Sequence, residues 1–257
     1  MSLQDWAGHT AIVTGGASGL GAATAARLAA DGLKVALFDL NQDSGAAHAA
    51  KIGGRFFKVD VSDPASVAAG ISAVQEQFGG LRVLVNCAGI GGAAKTVSRG
   101  APHDSALFQK TLMVNLMGTF NCASQAAAQI CAADPIGPDG ARGVIINTAS
   151  VAAFDGQIGQ LAYAASKGGI VSMTLPMARD LADKGIRVCT IAPGLFLTPL
   201  LDELPQEVQA SLGAQVPFPS RLGDPEEYAE MVRHITRNSM LNGETIRLDG
   251  AIRMAPR

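Results

Sequence analysis

The sequence is short of several residue types that would each point to a particular class of protein. Its 257 residues include four cysteines, four histidines and one tryptophan, and only 16% of them are charged. The net charge is −2 and no long basic run occurs, which argues against nucleic acid as a partner. Neither the histidines nor the cysteines show the spacing of metal ligands. We therefore predict a protein without a metal site and without a nucleic-acid partner.

Long apolar runs are also missing, although hydrophobic residues make up 48% of the chain. No run approaches the ~18 apolar residues that a membrane-spanning helix requires. The first ten residues show neither a basic-apolar signal nor an Arg-rich presequence. These features predict a cytoplasmic protein with a large core and no membrane partner.

Short apolar strands alternate with helical patterns along the whole chain. Strands of about five to seven residues include residues 10–14, 34–40 and 81–89. The alternation predicts one domain over residues 1–257. We expect an α/β fold of the Rossmann type, with a doubly wound parallel sheet of about seven strands and helices on both faces.

The second half of the chain contains two long predicted helices and one irregular segment. The first helix covers about 104–132, and the second follows Ser150 and continues to about Lys184, with a kink at Pro176. Residues 195–218 are apolar, helical in character and broken by prolines. This segment is predicted to be a lid and a substrate wall.

A glycine-rich turn follows the first strand. Within GGASGLG, Gly15 permits a sharp turn, Gly19 leaves room for a pyrophosphate, and Gly21 lets the next helix pack closely on the sheet. The start of that helix offers free N–H groups and a positive dipole end to phosphates. A strand before the turn and a helix after it are the context that this motif requires, so we predict a dinucleotide site.

Asp39 ends the second strand, twenty residues after Gly19. A carboxylate there can accept hydrogen bonds from both ribose hydroxyls of an adenosine, and it repels a 2′-phosphate. No lysine or arginine occupies the glycine turn, where Ser18 stands, and none follows Asp39 directly. The pattern favours NAD over NADP, although an aspartate here is also typical of a helix N-cap or a turn.

Two later strand ends extend the predicted cofactor site. Asp60 and Val61 either flank an adenine ring or, because Ser-Asp-Pro follows, Asp60 only begins a turn. Ligands of such sheets bind outside the carboxyl ends of the strands. After the fourth strand, Asn86 leads into small residues where a cofactor would pass: Cys87, Ala88 and Gly89.

Tyr163 and Lys167 are four residues apart on a predicted helix, and Ser150 lies thirteen residues before Tyr163. Because positions i and i+4 share a helix face, the ammonium is expected to lower the tyrosine pKa from about 10 towards working pH. The serine hydroxyl can hold the oxygen of an alcohol or a carbonyl substrate. These residues fit an acid–base unit, although the same spacing also occurs on ordinary helix surfaces.

Asn115 and Gln160 are polar residues with two interpretations each. Asn115 lies in an apolar helical stretch and must be hydrogen-bonded if buried. It either bridges a bent helix backbone or holds a water within reach of Lys167. Gln160, just before Tyr163, is either a substrate contact or a surface glutamine.

Together these motifs resemble the short-chain dehydrogenase/reductase family over nearly the whole chain. The glycine motif of the family matches Thr14-Gly15, Gly19 and Gly21, and its Asn-Ala-Gly segment matches Asn86-Cys87-Ala88-Gly89. The resemblance implies a catalytic tetrad of Asn115, Ser150, Tyr163 and Lys167. It also implies the cofactor contacts Ser18, Leu20, Asp39, Asp60, Val61, Cys87, Pro193, Phe196 and Thr198.

Longer stretches, such as residues 143–160, resemble family members that act on acyl-CoA substrates. This resemblance implies an NAD-dependent homotetramer of fatty acid metabolism. Its reaction would be oxidation of the secondary hydroxyl of a short- or branched-chain 3-hydroxyacyl-CoA, with Tyr163 as the base. The alternatives are a hydroxysteroid or other secondary-alcohol dehydrogenase, a 3-oxoacyl carrier-protein reductase and a non-catalytic nucleotide-binding scaffold.

Overall fold

The computed structural model describes residues 5–202 and 205–256. Seven strands form one parallel sheet: β1 (Thr10–Thr14), β2 (Lys34–Asp39), β3 (Arg55–Lys58), β4 (Leu81–Asn86), β7 (Gly143–Thr148), β8 (Ile186–Pro193) and β9 (Thr245–Leu248). A separate antiparallel pair consists of β5 (Val97–Ser98) and β6 (Ala101–Pro102). The order across the main sheet is β3-β2-β1-β4-β7-β8-β9, which confirms the predicted doubly wound fold.

Helices cover both faces of this sheet. They are α1 (Gly19–Ala30), α2 (Gln42–Ile52), α3 (Pro64–Gln77), α4 (Ser105–Leu112), α5 (Gly118–Cys131), α6 (Leu161–Asp180), α7 (Pro199–Asp202), α8 (Gln206–Gly213) and α9 (Pro225–Arg237). Helices α1 and α9 pack together on one face, and α3 packs with α5 on the other. Within the described ranges, no helix is long and apolar enough to cross a membrane.

Strand β1 shows why the central strands are apolar throughout. All five of its residues are buried. Val13 contributes to the core under α1 and α9, and Ile12 contributes to the core under α3 and α5. A parallel strand with helices on both sides buries both of its faces, so its sequence is a continuous apolar run.

The chain reverses its winding direction at β1, which pairs with β2 on one side and β4 on the other. The crossovers from β1 to β3, which contain α1 and α2, and those from β4 to β8, which contain α5 and α6, lie on opposite faces of the sheet, and α9, between β8 and β9, returns to the face of α1. This divergence leaves a crevice above the carboxyl ends of β1 and β4, where ligands of open α/β sheets bind. The fold therefore places Gly15, Asp39 and Gly89 around one crevice.

Three predicted boundaries were wrong. The helix predicted over 104–132 is divided by a π-helical turn, Met113–Met117, which lies between α4 and α5. Helix α6 begins at Leu161, because a 3₁₀ turn (Val151–Ala153) and an irregular segment follow Ser150. It ends at Asp180, and Pro176 lies inside it. A π turn and a 3₁₀ turn depend on tertiary packing and have no strong sequence signature.

The strand ends and the lid differ from prediction in detail. Strands β2 and β4 stop at Asp39 and Asn86, because pairing ends where the neighbouring strand ends. The segment 195–218, predicted to be a lid, contains the short helices α7 and α8. Its residues 203 and 204 lie outside the described residues. Helix α9 has the predicted limits, and Asp224 and Glu227 form a capping box at its start.

Candidate active site

The glycine turn between β1 and α1 uses backbone conformations that favour glycine. Gly15 has a φ of +64° and Gly19 a φ of +53°. A Cβ on Gly15 would lie 2.8 Å from the amide nitrogen of Ala88, at the end of β4. A Cβ on Gly21 would overlap the carbonyl oxygen of Gly15. Gly21 thus lets α1 approach the turn that directly follows β1, and close packing of the helix on the sheet at this glycine stays a prediction.

Helix α1 begins at this turn with its first N–H groups available. Ser18 is its exposed N-cap, and within the described part of the chain its side chain makes no capping hydrogen bond. Leu20 packs against the core below. A Cβ on Gly19 would lie 3.3 Å from Cδ of Pro199 and 3.7 Å from Cγ2 of Thr198. The fold therefore brings Thr198 and Pro199 close to the glycine turn, whose N–H groups suit a phosphate-containing ligand.

Asp39 lies beside the same turn. Its Oδ2 accepts a hydrogen bond from the backbone N–H of Ala17 at 3.1 Å, and its Oδ1 accepts one from Asn41 at 3.0 Å. The N-cap of α2 is Asn41, whose side chain accepts a bond from Ser44. Asp39 is therefore not the helix cap. It shapes a turn, and its carboxylate is held at the crevice where an adenosine ribose would lie.

Asp60 and Val61 follow β3 at the edge of the crevice. Asp60 begins a turn, because its Oδ1 accepts hydrogen bonds from the N–H and the hydroxyl of Ser62 at 2.9 and 2.7 Å. Val61 is buried, and its carbonyl accepts a bond from Nδ2 of Asn121 at 3.0 Å. An adenine contact by Asp60 and Val61 stays a prediction. Asn121, a polar residue on the buried side of α5, is a support that sequence reasoning missed.

The end of β4 is fixed by Thr14, another residue that sequence reasoning did not single out. The Thr14 hydroxyl accepts hydrogen bonds from the N–H groups of Cys87 at 3.1 Å and Ala88 at 3.0 Å. A Cβ on Gly89 would lie 3.6 Å from Nζ of Lys167. The small residues after β4 therefore admit the lysine as well as leaving space for a cofactor.

Asn115 lies in the π-helical turn and is fully buried. Its Oδ1 accepts a hydrogen bond from the N–H of Ile90 at 2.8 Å, and its Nδ2 donates to the Ile90 carbonyl and the Ser166 hydroxyl, both at 3.0 Å. The interpretation that its side chain bridges its own helix was wrong. The amide instead joins the loop after β4 to α6, so it holds the wall behind Lys167.

Ser150, Tyr163 and Lys167 meet at the ends of β7 and α6. The Ser150 hydroxyl oxygen caps the 3₁₀ turn by accepting a bond from Ala152 at 3.1 Å, and it also hydrogen-bonds Tyr163. Lys167 is 4% exposed, and its Nζ donates to the carbonyl of Thr148 at 2.8 Å. This Nζ lies 5.7 Å from the centre of the Tyr163 ring. The predicted acid–base set is therefore assembled in one place.

Burial controls the protonation of this set. It raises the pKa of Tyr163, and the hydrogen bond with Ser150 acts in the opposite direction. Burial also lowers the pKa of Lys167 to about 8. The prediction that the ammonium brings the tyrosine pKa below its ordinary value was wrong for this arrangement. Nζ points to the Thr148 carbonyl, and desolvation outweighs its field at the phenol.

The segment after β8 contributes one crevice residue and one core residue. Pro193 ends β8 and is buried. The ring of Phe196 is 7% exposed and packs edge-on against Tyr228, with ring centres 6.5 Å apart. Gly223 lies against the same ring, where no Cβ would fit. The Phe196 ring therefore has a packing role, and a cofactor contact by this residue stays a prediction.

Gln160 lies at a cavity of about 540 Å³. Segments 94–97 and 156–161 line the cavity together with Ala164 and Pro256. The Oε1 of Gln160 accepts a bond from the N–H of Gln157 at 3.0 Å. Gln160 and Ala164 are close to Tyr163 in the chain, whereas Ser150, Tyr163 and Lys167 are not among the lining residues. The placement is compatible with a substrate contact by Gln160, which stays a prediction.

Comparison with known proteins agrees with this geometry. A family model described as short chain dehydrogenase matches residues 9–209. That range contains the glycine turn, Asp39, Asn115, Ser150 and the Tyr163–Lys167 pair. The chain belongs to the short-chain dehydrogenase family. Members of this family are oxidoreductases that use a nicotinamide dinucleotide, and the turn beside Asp39 has the shape and the donors for one.

Several relatives of this short-chain dehydrogenase match almost end to end. The 3-hydroxyacyl-CoA dehydrogenase type-2 of Homo sapiens is 56% identical over 253 residues, and the match covers 97% of each chain. The protein of the same name from Drosophila melanogaster is 51% identical over 249 residues, covering 95% of this chain and 97% of the relative.

A solved structure supports the same placement. The crystal structure of 3-hydroxyacyl-CoA dehydrogenase type-2 from Mycobacterium avium superposes with a TM-score of 0.94. The two chains are 46% identical, and the match covers 97% of this chain and 98% of that one. A more distant relative, 2-dehydro-3-deoxy-L-rhamnonate dehydrogenase (NAD(+)) of a Sphingomonas strain, is 40% identical over 228 residues, covering 88% of this chain and 87% of the relative.

Proposed function

We propose that this short-chain dehydrogenase oxidises the secondary hydroxyl of a short- or branched-chain 3-hydroxyacyl-CoA to the 3-oxoacyl-CoA with NAD⁺. The assembled set of Ser150, Tyr163 and Lys167, which meets where β7 ends and α6 begins, carries the proposal. The substrate class is supported by the names of relatives that are 51–56% identical along nearly the whole chain.

The choice of NAD⁺ is supported by Asp39. Its carboxylate is held at the glycine turn by the N–H of Ala17, where it can accept bonds from ribose hydroxyls and would repel a 2′-phosphate. NAD⁺, when bound, supplies the acceptor for the hydride. The N–H groups at the start of α1 would bind its phosphates, and Thr198 lies close to the same turn.

In this mechanism the substrate hydroxyl lies between Ser150 and Tyr163. Ser150 holds the oxygen, and Tyr163 as phenolate removes the hydroxyl proton. A positioned general base of this kind typically accelerates a reaction by ~10²–10⁴-fold. Lys167 would bond the nicotinamide ribose when NAD⁺ is bound. Asn115 holds the wall behind the lysine, and we propose that a water near it continues the proton path.

The acyl chain and the CoA moiety would occupy the cavity beside Gln160. Ile158 and Leu161 supply apolar surface there, and Lys95 is a cation in the same lining. A carrier-protein reductase is not favoured, because Asp39 disfavours the phosphorylated cofactor. A non-catalytic scaffold is also not favoured, because it does not require a buried lysine beside a tyrosine.

Steady-state formation of NADH tests the proposal. Purified protein would be assayed with racemic 3-hydroxybutyryl-CoA, with branched 3-hydroxyacyl-CoAs, and with a hydroxysteroid, each with NAD⁺ and with NADP⁺. We expect the highest kcat/KM for a 3-hydroxyacyl-CoA with NAD⁺, and at least about tenfold less with NADP⁺. A higher kcat/KM for the steroid, or for NADP⁺, would contradict the proposal.

We also propose that the protein is a homotetramer in the cytoplasm. Met113, Met117 and Phe120 are 37–44% exposed along one stretch of chain, and apolar exposure of this kind is typical of subunit contacts. Cell fractionation would test the location.

A further inference from the structure

The segment between the two catalytic elements has little secondary structure of its own. Residues 154–160 join the 3₁₀ turn after Ser150 to the start of α6, and they form one side of the substrate cavity. Ile158 is 49% exposed and Phe154 is 50% exposed. Without a helix or a sheet ladder, the position of this segment depends on contacts made from outside it.

On one side, the segment is held by the loop after β4. The N–H of Ala94 donates to the carbonyl of Gly159 at 2.8 Å, and Ala94 pairs with Gln160 as an isolated bridge. This contact joins two walls of the same cavity. It leaves residues 154–158 without support from that direction.

On the other side, the segment is held by the last described residues of the chain. The N–H of Ile158 donates to the carbonyl of Pro256, and Nε2 of Gln157 donates to the carbonyl of Ala255, both at 3.0 Å. Pro256 also lines the cavity. The chain terminus therefore runs beside the segment and supplies part of the cavity wall.

Arg247 on β9 joins these two parts of the chain. Its guanidinium bonds Asp155 at 2.6 Å and Asp249 at 2.7 Å, and it also donates to the carbonyl of Ile252 at 2.9 Å. The Arg247 and Asp155 side chains are only 21% and 17% exposed. The guanidinium also lies 5.3 Å from the centre of the Phe154 ring. One residue thus fixes both the start of the segment and the start of the terminus.

We propose that residues 255–256 and Arg247 form a brace that positions segment 154–160 and thereby sets the affinity for the acyl-CoA substrate. Arg247 is a positioning residue, because it contacts the cavity wall and not the reacting atoms. The substrate named here rests on the proposed function. The brace supports the cavity wall formed by segment 154–160, to which neither the glycine turn nor the set of Ser150, Tyr163 and Lys167 contributes.

Three variants test the brace. A chain ending at Met254 lacks the carbonyl groups of Ala255 and Pro256, and Arg247→Met removes the junction. Arg253→Met is the matched control, because this arginine is 63% exposed and bonds Asp249 and the Ile252 carbonyl, as Arg247 does, without contacting Asp155. Each would be assayed with racemic 3-hydroxybutyryl-CoA and NAD⁺.

We expect the shortened chain and Arg247→Met to raise KM for the acyl-CoA by about fivefold or more, since one or two lost hydrogen bonds shift a loop equilibrium by that amount. Both kcat and KM for NAD⁺ should stay within about twofold of the unmodified protein. Arg253→Met should match the unmodified protein. An unchanged KM for the acyl-CoA, or a parallel rise in KM for NAD⁺, would overturn the proposal.

A second readout does not depend on the substrate. Amide hydrogen exchange of residues 154–160 should become faster in the shortened chain and in Arg247→Met, and not in Arg253→Met. Equal exchange in all four proteins would refute the brace. If the unmodified protein does not oxidise 3-hydroxybutyryl-CoA, the proposed function fails, and the exchange experiment still decides whether the brace exists.

Discussion

At the scale of single residues, the burial of Lys167 lowers the stability of the protein at pH 7, whereas Tyr163 is neutral there in both the folded and the unfolded state. The phenol has a raised pKa, and the lysine a pKa of about 8, because both are desolvated. Neither shift benefits folding. A loss of folding stability of this kind is expected where a side chain has a functional role.

Tyr163→Phe should abolish turnover, because phenylalanine has no hydroxyl to take the substrate proton. The loss in kcat should be at least about 10²-fold. NAD⁺ affinity, measured by calorimetry, should change little, since the phosphates and the adenosine lie elsewhere in the crevice. Substantial turnover in this variant would refute the assignment of the base.

Lys167→Met should make the folded protein more stable at pH 7. The folded pKa of about 8 lies below the ordinary 10.5, so the folded state binds the proton less tightly than the unfolded state does. Below pH 8 the whole penalty of the buried charge is present, about 3 kcal/mol at 1.36 kcal/mol per unit. The lost bond to Thr148 offsets about 1 kcal/mol. The net expected gain is about 2 kcal/mol.

The same penalty disappears as pH rises from 8 towards 10.5, because the lysine then loses its charge in both states. The stability advantage of Lys167→Met should therefore shrink over this range. Urea unfolding at pH 7 and at pH 10, compared with the unmodified protein, measures the difference. An advantage that grows with pH would contradict the account.

At the scale of elements, the approach of α1 to the glycine turn determines whether a dinucleotide can bind. Gly21 has no space for a Cβ because the Gly15 carbonyl occupies it. On α6, a Cβ at Gly168 meets nothing within 4 Å. Gly21 therefore leaves no space for a methyl group, whereas Gly168 does.

Gly21→Ala should destabilise the protein by about 2 kcal/mol through overpacking and should weaken NAD⁺ binding by moving the turn. Gly168→Ala should instead stabilise the protein by about 0.5–1 kcal/mol, because it reduces the entropy of the unfolded chain without strain. Thermal unfolding and NAD⁺ titration measure both effects. Equal effects of the two substitutions would contradict this assignment.

The π-helical turn Met113–Met117 is the other element that the site depends on. It places Asn115 so that the amide reaches Ile90 and Ser166. Because Asn115 is a polar residue in an apolar helical stretch, the sequence predicts that its side chain has hydrogen-bond partners. Its partners depend on the position of the π-helical turn, and helix propensities do not predict where such a turn occurs.

At the scale of the whole molecule, Met113 and Met117 of the π-helical turn and Phe120 of α5 form the exposed apolar surface that the proposed subunit contact would cover. Phe120→Glu should reduce the homotetramer to smaller species, because a charge would be buried in the subunit contact. Leu40→Glu, at a residue that is 58% exposed on another part of the surface, is the control and should leave the assembly intact. Light scattering measures both, and a tetramer of the Phe120→Glu variant would contradict the proposed contact.

The sequence by itself determined the fold class, the glycine turn, the Tyr163–Lys167 spacing and the family. These are local patterns: a buried parallel strand must be apolar, a turn of positive φ requires glycine, and a helix face repeats every three to four residues. The residues of each pattern are close together in the chain, so the pattern can be interpreted from the sequence alone.

The tertiary structure decided what depends on distance through space. The direction of the Tyr163 pKa, the partners of Asn115 and the support of Val61 by Asn121 follow from packing between elements far apart in the chain. The link from Arg247 to Asp155 spans 92 positions. Desolvation and long-range hydrogen bonds have no periodic signature, because they arise only when the sheet and its helices bring such residues together.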